Sequence, residues 1–368
     1  MAAPVITSAD WHLSNDDPYA EYDKAGVSNF LKLKCLLLKK LIAHIIALKG
    51  YLVVAGDLLD SRTPDNNTLY YSSRAVAGMA DIEFVLLLEG NHGFDARNSN
   101  IGVISHWEHF VPDNVHIVTT PQKIERSPYD FYCIPAVADI TDSFASIAKD
   151  FIGSIKKSRT SVLVAHGPIS GALFDTGTSS NEGIKMDAVL EASKYFDHVV
   201  FGDFHRYQTI ADNIWYCGSP MQVSLRDKGQ RKGYQIFDDT SAGHEFHALP
   251  GPRFYDLEWD LDGKMPSVLE RPADYKKKLK KAVVIVRLKG SASARSSVDI
   301  DGHIKSLKEN GAMRVVPRWI DKKSKRKASG INPTSAIEEM ISKYVGANPS
   351  EDVDSERLVH AGISYTRQ

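Results

Sequence analysis

Short apolar runs, each ending at once in Asp, Asn or His, constrain the fold of this chain more than any other feature. The runs occupy residues 5–9, 51–55, 83–88, 161–165 and 198–201. Each is four to six residues of mostly Val, Ile, Leu and Phe with little polar alternation, which suits strands buried on both faces. Between them lie segments with helical spacing, such as 29–49 and 67–79. Strand, helix and strand in succession imply βαβ crossovers and a doubly wound α/β core. In such a core, ligands gather beyond the carboxyl ends of the strands.

Composition decides three further points. Segment 30–48 is the most apolar of the chain, yet it carries Lys32, Lys34, Lys39, Lys40 and His44, each costly in lipid. Its apolar positions Phe30, Leu33, Leu37, Leu41, Ile45 and Leu48 recur at helical spacing up to Gly50, so an amphipathic core helix is expected and no membrane contact. The formal net charge of -1 gives no global basic field, so any nucleic-acid surface has to come from local clusters. Cys35, Cys133 and Cys217 are sparse and far apart, as for free thiols in a reducing compartment. No basic start followed by an apolar run opens the chain. The expected location is cytoplasmic, in a bacterial cell or a phage-infected host.

The residues following the runs carry the chemistry. The first run leads into Asp10-Trp11-His12, the second into Gly56-Asp57-Leu58-Leu59-Asp60, and the third into Gly90-Asn91-His92. The fourth leads into His166-Gly167 and the fifth into Gly202-Asp203-Phe204-His205. Each has an ordinary explanation alone: Asp caps helices, Gly-Asp and Gly-Asn make turns, and a lone buried His is usually hydrogen-bonded in a core. Together, in order and each after a strand, they converge on one crevice if the strands are neighbours in one parallel sheet. Carboxylate, amide and imidazole donors suit a pair of divalent ions such as Mn²⁺.

This set resembles the calcineurin-like metallophosphoesterases, with motif order D-x-H, G-D-x-x-D, G-N-H-[D/E], H and G-H-x-H, over roughly residues 5 to 220. The chain further resembles the nuclease subunit of the bacterial SbcCD complex and its phage and eukaryotic double-strand-break-repair counterparts. Three segments carry that likeness: Ser8-Ala9-Asp10-Trp11-His12-Leu13, Gly202-Asp203-Phe204-His205-Arg206-Tyr207-Gln208 and Tyr216-Cys217-Gly218-Ser219-Pro220. The compact size looks like a phage version.

The resemblance implies an α/β fold, namely a metallophosphoesterase α/β/β/α sandwich with a small α+β capping domain and a helical C-terminal tail. The expected divisions are a catalytic domain at 1–252, a DNA-binding capping domain at 253–320, and a linker with a partner-binding tail at 321–368. It also implies two divalent cations, Mn²⁺ first and Mg²⁺ second. Asp10, His12 and His205 would hold one, Asp57 would bridge, and Asn91, His166 and Asp203 would hold the other. His92 would face the scissile phosphate as the catalytic group. Asp203 stands where the family has His, and Gly93 where it has an acid that orients the catalytic His, a task Asp95 could take over.

The implied activity is Mn-dependent exo- and endonuclease cleavage of double-stranded DNA ends or hairpins, with an SbcC-type coiled-coil ATPase, by a homodimer. Basic runs at 276–281 and 322–327 read either as solvated surface or as phosphate-backbone contacts, through Lys276, Lys277, Lys278, Lys322 and Lys323. A short amphipathic helix with Ile337, Met340, Ile341 and Tyr344 on one face either docks on the ATPase or folds back on its own core. Two other functions fit the residues: a phosphoesterase acting on small substrates, and a catalytically weak scaffold for DNA ends and the ATPase.

Overall fold

The computed structural model describes residues 2–93, 102–136, 140–261, 263, 265–290, 294, 297–320 and 345. Asp95, Lys322, Lys323 and the tail residues Ile337, Met340, Ile341 and Tyr344 lie outside the described residues. In chain order the first strands are β1 (Val5–Ser8), β2 (Tyr51–Val54), β3 (Val85–Leu88), β4 (Val115–Val118), β5 (Gln122–Arg126), β6 (Tyr129–Ile134), β7 (Thr160–His166) and β8 (His198–Gly202). There follow β9 (Gln208–Ala211), β10 (Ile214–Tyr216), β11 (Gly233–Phe237), β12 (Glu245–Ala248), β13 (Phe254–Asp260), β14 (Val283–Lys289) and β15 (Arg314–Ile320). The helices are α1 (Asn29–Leu48), α2 (Asn66–Ala77), α3 (Ile140–Ile152), α4 (Met186–Ala192), α5 (Ser267–Glu270), α6 (Lys276–Leu279) and α7 (Ile300–Glu309).

The strands form two six-stranded sheets, ordered β12-β11-β1-β2-β3-β4 and β5-β6-β7-β8-β10-β9, and a three-stranded sheet β13-β14-β15. β1 to β4 run parallel, as do β6, β7, β8 and β10, while antiparallel strands flank both central sets. Here the single-sheet expectation is corrected: the five motif-bearing strands are split, three in one sheet and two in the other. The reason is physical. A strand sandwiched between a second sheet and a helix layer is as apolar on both faces as one flanked by helices, so the runs themselves do not distinguish the two.

Side-chain alternation sorts each strand into two cores. Val5, Tyr51, Val53, Leu86 and Leu88 of the first sheet meet Phe131, Val162, Val164, Val200 and Trp215 of the second in one buried cluster. The opposite face of the first sheet, with Ile6, Leu52, Val54, Val85 and Leu87, packs under Phe30, Leu37, Leu41 and Ile45 of α1. Leu163, Val199 and Phe201 of the second sheet meet Phe144 of α3 and Val189 of α4. The result is an α/β/β/α sandwich. Full burial of each such side chain contributes roughly 1.5–3 kcal/mol, so the strands hold still while the loops at their ends carry polar groups.

α1 follows the sequence pattern closely. Ser28 caps it by accepting from the Phe30 and Leu31 amides, and left-handed Lys49 closes it. Among the described residues no helix is long and apolar enough to cross a membrane. The chain divides into two compact units. Among the described residues, the larger falls within 1–257, 267–286 and 300–316, and the smaller within 258–266, 287–299, 317–320 and 345. Within the larger unit, Phe254, Val283 and Ile285 belong to the same buried cluster as α1. Lys276, Lys277 and Lys278 of α6 are exposed, with Leu279 buried beneath them.

Candidate metal centre

The loops after β1, β2, β3 and β8, and the last residue of β7, meet at one edge of the sandwich. The Asp203 amide donates to Asp10 Oδ1 at 3.0 Å, and the His92 amide donates to Asp57 Oδ1 at 3.1 Å. His166 Nε2 lies 2.9 Å from Asn91 Oδ1, 3.4 Å from Asp57 Oδ2 and 4.0 Å from Asp203 Oδ1. His12 and His205 face each other with their Nε2 atoms 2.9 Å apart, and His12 Nε2 is 3.7 Å from Asp57 Oδ2. Every residue expected to hold a cation therefore stands in one cluster, with Asp57 touching both halves of it.

Reaching this arrangement strains the backbone. Asp10, His12, Asp57 and Asp203 have φ of 54°, 43°, 49° and 109°, values that side-chain-bearing residues adopt at a cost of about 1–3 kcal/mol each. Two glycines make the approach possible. A Cβ at Gly56 would lie 1.9 Å from His166 Nδ1, and one at Gly90 would lie 2.0 Å from Asp57 Oδ1. Gly56 thus clears space for His166, and Gly90 for Asp57.

The donor chemistry fits divalent cations. Asp10 is fully buried, and its Oδ2 has no hydrogen-bond partner among the described residues, a condition a carboxylate tolerates only beside positive charge. His166 Nδ1 faces the Ala55 carbonyl at 2.8 Å, a contact that only an N–H satisfies. Its Nε2 is therefore left as the lone-pair donor toward Asn91 and Asp57. In the same way His12 Nδ1 sits 2.7 Å from Asp60 Oδ1, which turns its Nε2 toward His205. Asp10, His12 and Asp57 form one compact group of potential ligands, and His12, Asp60 and His92 another.

Without cations the cluster is electrostatically uneven. Burial, with the neighbouring Asp57, pushes Asp10 up to about 7, although His166 and His12 oppose it. Burial likewise raises Asp203. Burial would raise Asp57 too, but His166, His12 and His92 around it hold its carboxyl well below the usual range. Burial alone would lower His166, yet the surrounding Asp57, Asp203 and Asp10 take it up to about 10. His205 is pushed down to about 3 by burial and by His12. Asp10 and Asp203 pressed toward protonation beside His166 pressed toward a charge are groups arranged for cations in place of protons.

His92 is half-exposed at the mouth of this cluster, not inside it. Its Nδ1 lies 3.1 Å from the Asp60 carbonyl and 3.2 Å from Asp60 Oδ1, so its Nε2 is directed elsewhere. The hydrogen bond to Asp60 raises it to about 9, with Asp57 adding to the effect and burial opposing it.

Three groups escaped the sequence reading. Asp60 serves His12 and His92 together. Glu89 fills the space beside Gly93: a Cβ at Gly93 would stand 2.2 Å from Glu89 Oε1. Glu89 is buried, accepts from the Ile104 amide at 3.1 Å, and is pushed up to about 7 by burial. A carboxylate thus stands beside Gly93, bonded to the Ile104 amide. Lys34, which the helical pattern leaves among the polar positions, is buried and donates to the His12 carbonyl at 2.6 Å. The second D of G-D-x-x-D was the available signal for Asp60; Glu89 and Lys34 carried none.

No family model matches the chain. Among solved structures it is similar to a dimetal phosphatase from Danio rerio, at 11% identity over 64% of this chain and 91% of that one, with a TM-score of 0.37. Another solved chain matches at 13% identity over 68% of this chain and 100% of its own, with a TM-score of 0.39. Likeness this remote says nothing about substrate. The function is read from the centre's geometry.

Proposed function

We propose that this chain is a metal-dependent phosphoesterase that cleaves phosphodiesters, with DNA as its substrate. The observation that carries the reading is the convergence of Asp10, His12, Asp57, Asn91, His166, Asp203 and His205 from five strand ends in two sheets, around a buried Asp10 oxygen with no hydrogen-bond partner among the described residues.

His12, His205 and Asp10 would hold one cation, Asn91, His166 and Asp203 the other, and Asp57 both. Oxygen and imidazole donors with a high carboxylate content favour Mn²⁺ or Mg²⁺. When bound, such a pair lowers the pKa of a shared water and neutralises charge on a phosphoryl group. The chain's own residues supply the rest. Asp60 holds His92 through Nδ1, which leaves Nε2 to donate a proton to the leaving oxygen. Ala55 and Asp60 fix the tautomers of His166 and His12, so both present lone pairs inward. The strained turns at Asp10, His12 and Asp57 keep the ligands assembled before anything binds.

DNA is favoured over a small diester by the exposed Lys276, Lys277 and Lys278, which suit contacts to a phosphate backbone. The likeness of residues 8–13, 202–208 and 216–220 to double-strand-break-repair nucleases supports the same substrate. Partnership with an SbcC-type ATPase and a homodimeric state belong to this proposal as well.

The test is Mn²⁺-dependent hydrolysis of duplex and hairpin-ended DNA beside bis(p-nitrophenyl) phosphate and p-nitrophenyl phosphate. Cleavage of DNA and the diester, abolished in Asp57→Ala, is expected. Turnover of the monoester alone would replace the nuclease with a small-substrate phosphatase. Undiminished turnover in Asp57→Ala would remove the two-cation centre.

A further inference from the structure

Two buried lysines take no part in the ligand set, and each is bonded to the main chain of one of the facing histidines. Lys34 lies on the face of α1 that also buries Phe30, Leu31, Leu37 and Leu38. A methionine would satisfy that stripe far more cheaply than an ammonium group, whose burial is costly unless its charge is used. Its Nζ donates to the His12 carbonyl at 2.6 Å, and Asp17 and Asp60 supply countercharge. Lys232, just before β11, is also buried. Its Nζ donates to the His205 carbonyl at 2.6 Å, Ser219 Oγ at 2.9 Å and Asp227 Oδ1 at 2.6 Å, which satisfies all three of its donors.

The symmetry of this arrangement has a mechanical meaning. His12 follows β1 in one sheet and His205 follows β8 in the other, so no strand pairing fixes one imidazole against the other. His12 has φ of 43°, which holds its carbonyl in an orientation outside any ladder, and the donor that meets it is Lys34. The His205 carbonyl is held by Lys232 together with the Ser219 amide at 3.0 Å. The two imidazoles nevertheless meet with Nε2 atoms 2.9 Å apart. An ammonium group has no lone pair, so neither lysine competes as a ligand, while Lys34 adds positive charge near Asp17 and Asp60 and Lys232 beside Asp227.

We propose that Lys34 and Lys232 are positioning residues, a pair of buried ammonium clamps that anchor the main chains of His12 and His205 and so preset the two imidazoles for one cation. The inference rests on the two-cation reading above and adds a cause for the shape of one half of the centre.

Lys34→Met separates positioning from packing, because it keeps an unbranched stem and removes charge and donors. A purely structural lysine would cost stability when lost. A clamp should cost cation affinity as well; because Lys34→Met leaves the His12 carbonyl and the Asp17 and Asp60 charges without their partner, some loss of cation-free stability is expected on either reading, and only the affinity at the site of His12 and His205 separates the two. Mn²⁺ titration followed by electron paramagnetic resonance, with thermal unfolding of the cation-free protein, reads both. In Lys34→Met the cation held by His12 and His205 is expected to bind roughly 10- to 100-fold more weakly. The spin-coupled Mn²⁺ pair signal should be missing at concentrations that saturate the wild type, and activity should recover at high Mn²⁺. Lys34→Gln, which keeps a donor without a charge, should fall between.

If Lys34→Met does not fold, Lys34→Gln and the paired Lys232→Met/Asp227→Asn variant, which leaves no buried carboxylate unpartnered, decide the question by the same titration. A cooperatively folded variant of either lysine that binds both ions within about threefold of wild type, against the tenfold or more expected, overturns the inference alone. A wild type that forms no coupled Mn²⁺ pair overturns the two-cation reading, and this inference with it.

Discussion

Asp60 offers the sharpest test of the centre, because one exposed carboxylate is asked to do two separable things. Its Oδ1 lies 2.7 Å from His12 Nδ1 and 3.2 Å from His92 Nδ1, so Asp60→Ala takes the carboxylate from a candidate ligand and from the candidate proton donor together, while His92 keeps its 3.1 Å contact to the main-chain carbonyl of residue 60. A hydrogen bond to a charged acceptor contributes about 1.5–3 kcal/mol. The side chain is 37% exposed, which argues for the lower end, about 1.5 kcal/mol for each imidazole, or roughly tenfold for each. The His12 share should appear as weaker cation binding and the His92 share as lower turnover. At limiting Mn²⁺ the two multiply to roughly a hundredfold loss, and at saturating Mn²⁺ roughly tenfold remains, in kcat. Asp60→Asn retains a neutral acceptor and should lose less in both. The assay is bis(p-nitrophenyl) phosphate hydrolysis across a Mn²⁺ series. A kcat within about twofold of wild type and an unchanged Mn²⁺ midpoint would refute the dual role, since both imidazoles would then be indifferent to the Asp60 carboxylate.

His92→Asn should retain both cations by calorimetric titration yet lose most of the rate, because His92 lies at the mouth of the cluster; lost binding would make it a ligand instead. His198 offers a pH test remote from the centre. It is 1% exposed between the sheets, its ring centroid 4.2 Å from that of Phe237, and burial pushes it from 6.5 down to about 4. Between those values the unfolded chain takes up a proton that the folded chain refuses, so stability is present above about 6.5 and lost on acidification toward 4, by about 3 kcal/mol in all. Urea unfolding at pH 7 and 4.5 should show His198→Phe with a flatter pH dependence than wild type; equal slopes would exclude it. Finally, Lys276→Glu, Lys277→Glu and Lys278→Glu combined should weaken duplex binding by fluorescence anisotropy and reduce the log–log salt slope by roughly 2 to 3. An unchanged slope would leave these lysines as plain solvated surface.

Strand ends were legible in the sequence because apolar runs and the residue types that follow them are local properties. The five motif segments fell where the sequence placed them, and α1 was readable from the spacing of Phe30, Leu37, Leu41 and Ile45. What was not legible is what depends on contacts across the fold. The division of the strands between two sheets left no mark on the runs, since either environment buries both faces. Asp60 stood in the sequence beside Asp57, but its task depends on the Leu13–Leu59 bridge that brings it alongside His12.

Lys34 shows the same limit in energetic form. Helical spacing sorts residues by hydrophobicity, so a lysine at that position is assigned to solvent, and the inward-facing His12 carbonyl with the charges of Asp17 and Asp60 makes its burial tolerable. Glu89 is hidden differently, as the residue just after the third apolar run, and its burial appears only because Gly93 leaves room for its carboxylate. In each case local regularity is broken where the centre needs a charge, and a charge is buried only where a specific acceptor or donor awaits it. Two of the residues that the pattern misplaces, Lys34 and Asp60, touch the candidate ligand His12. That is why the centre's outline is written along the chain while its support is written across the fold.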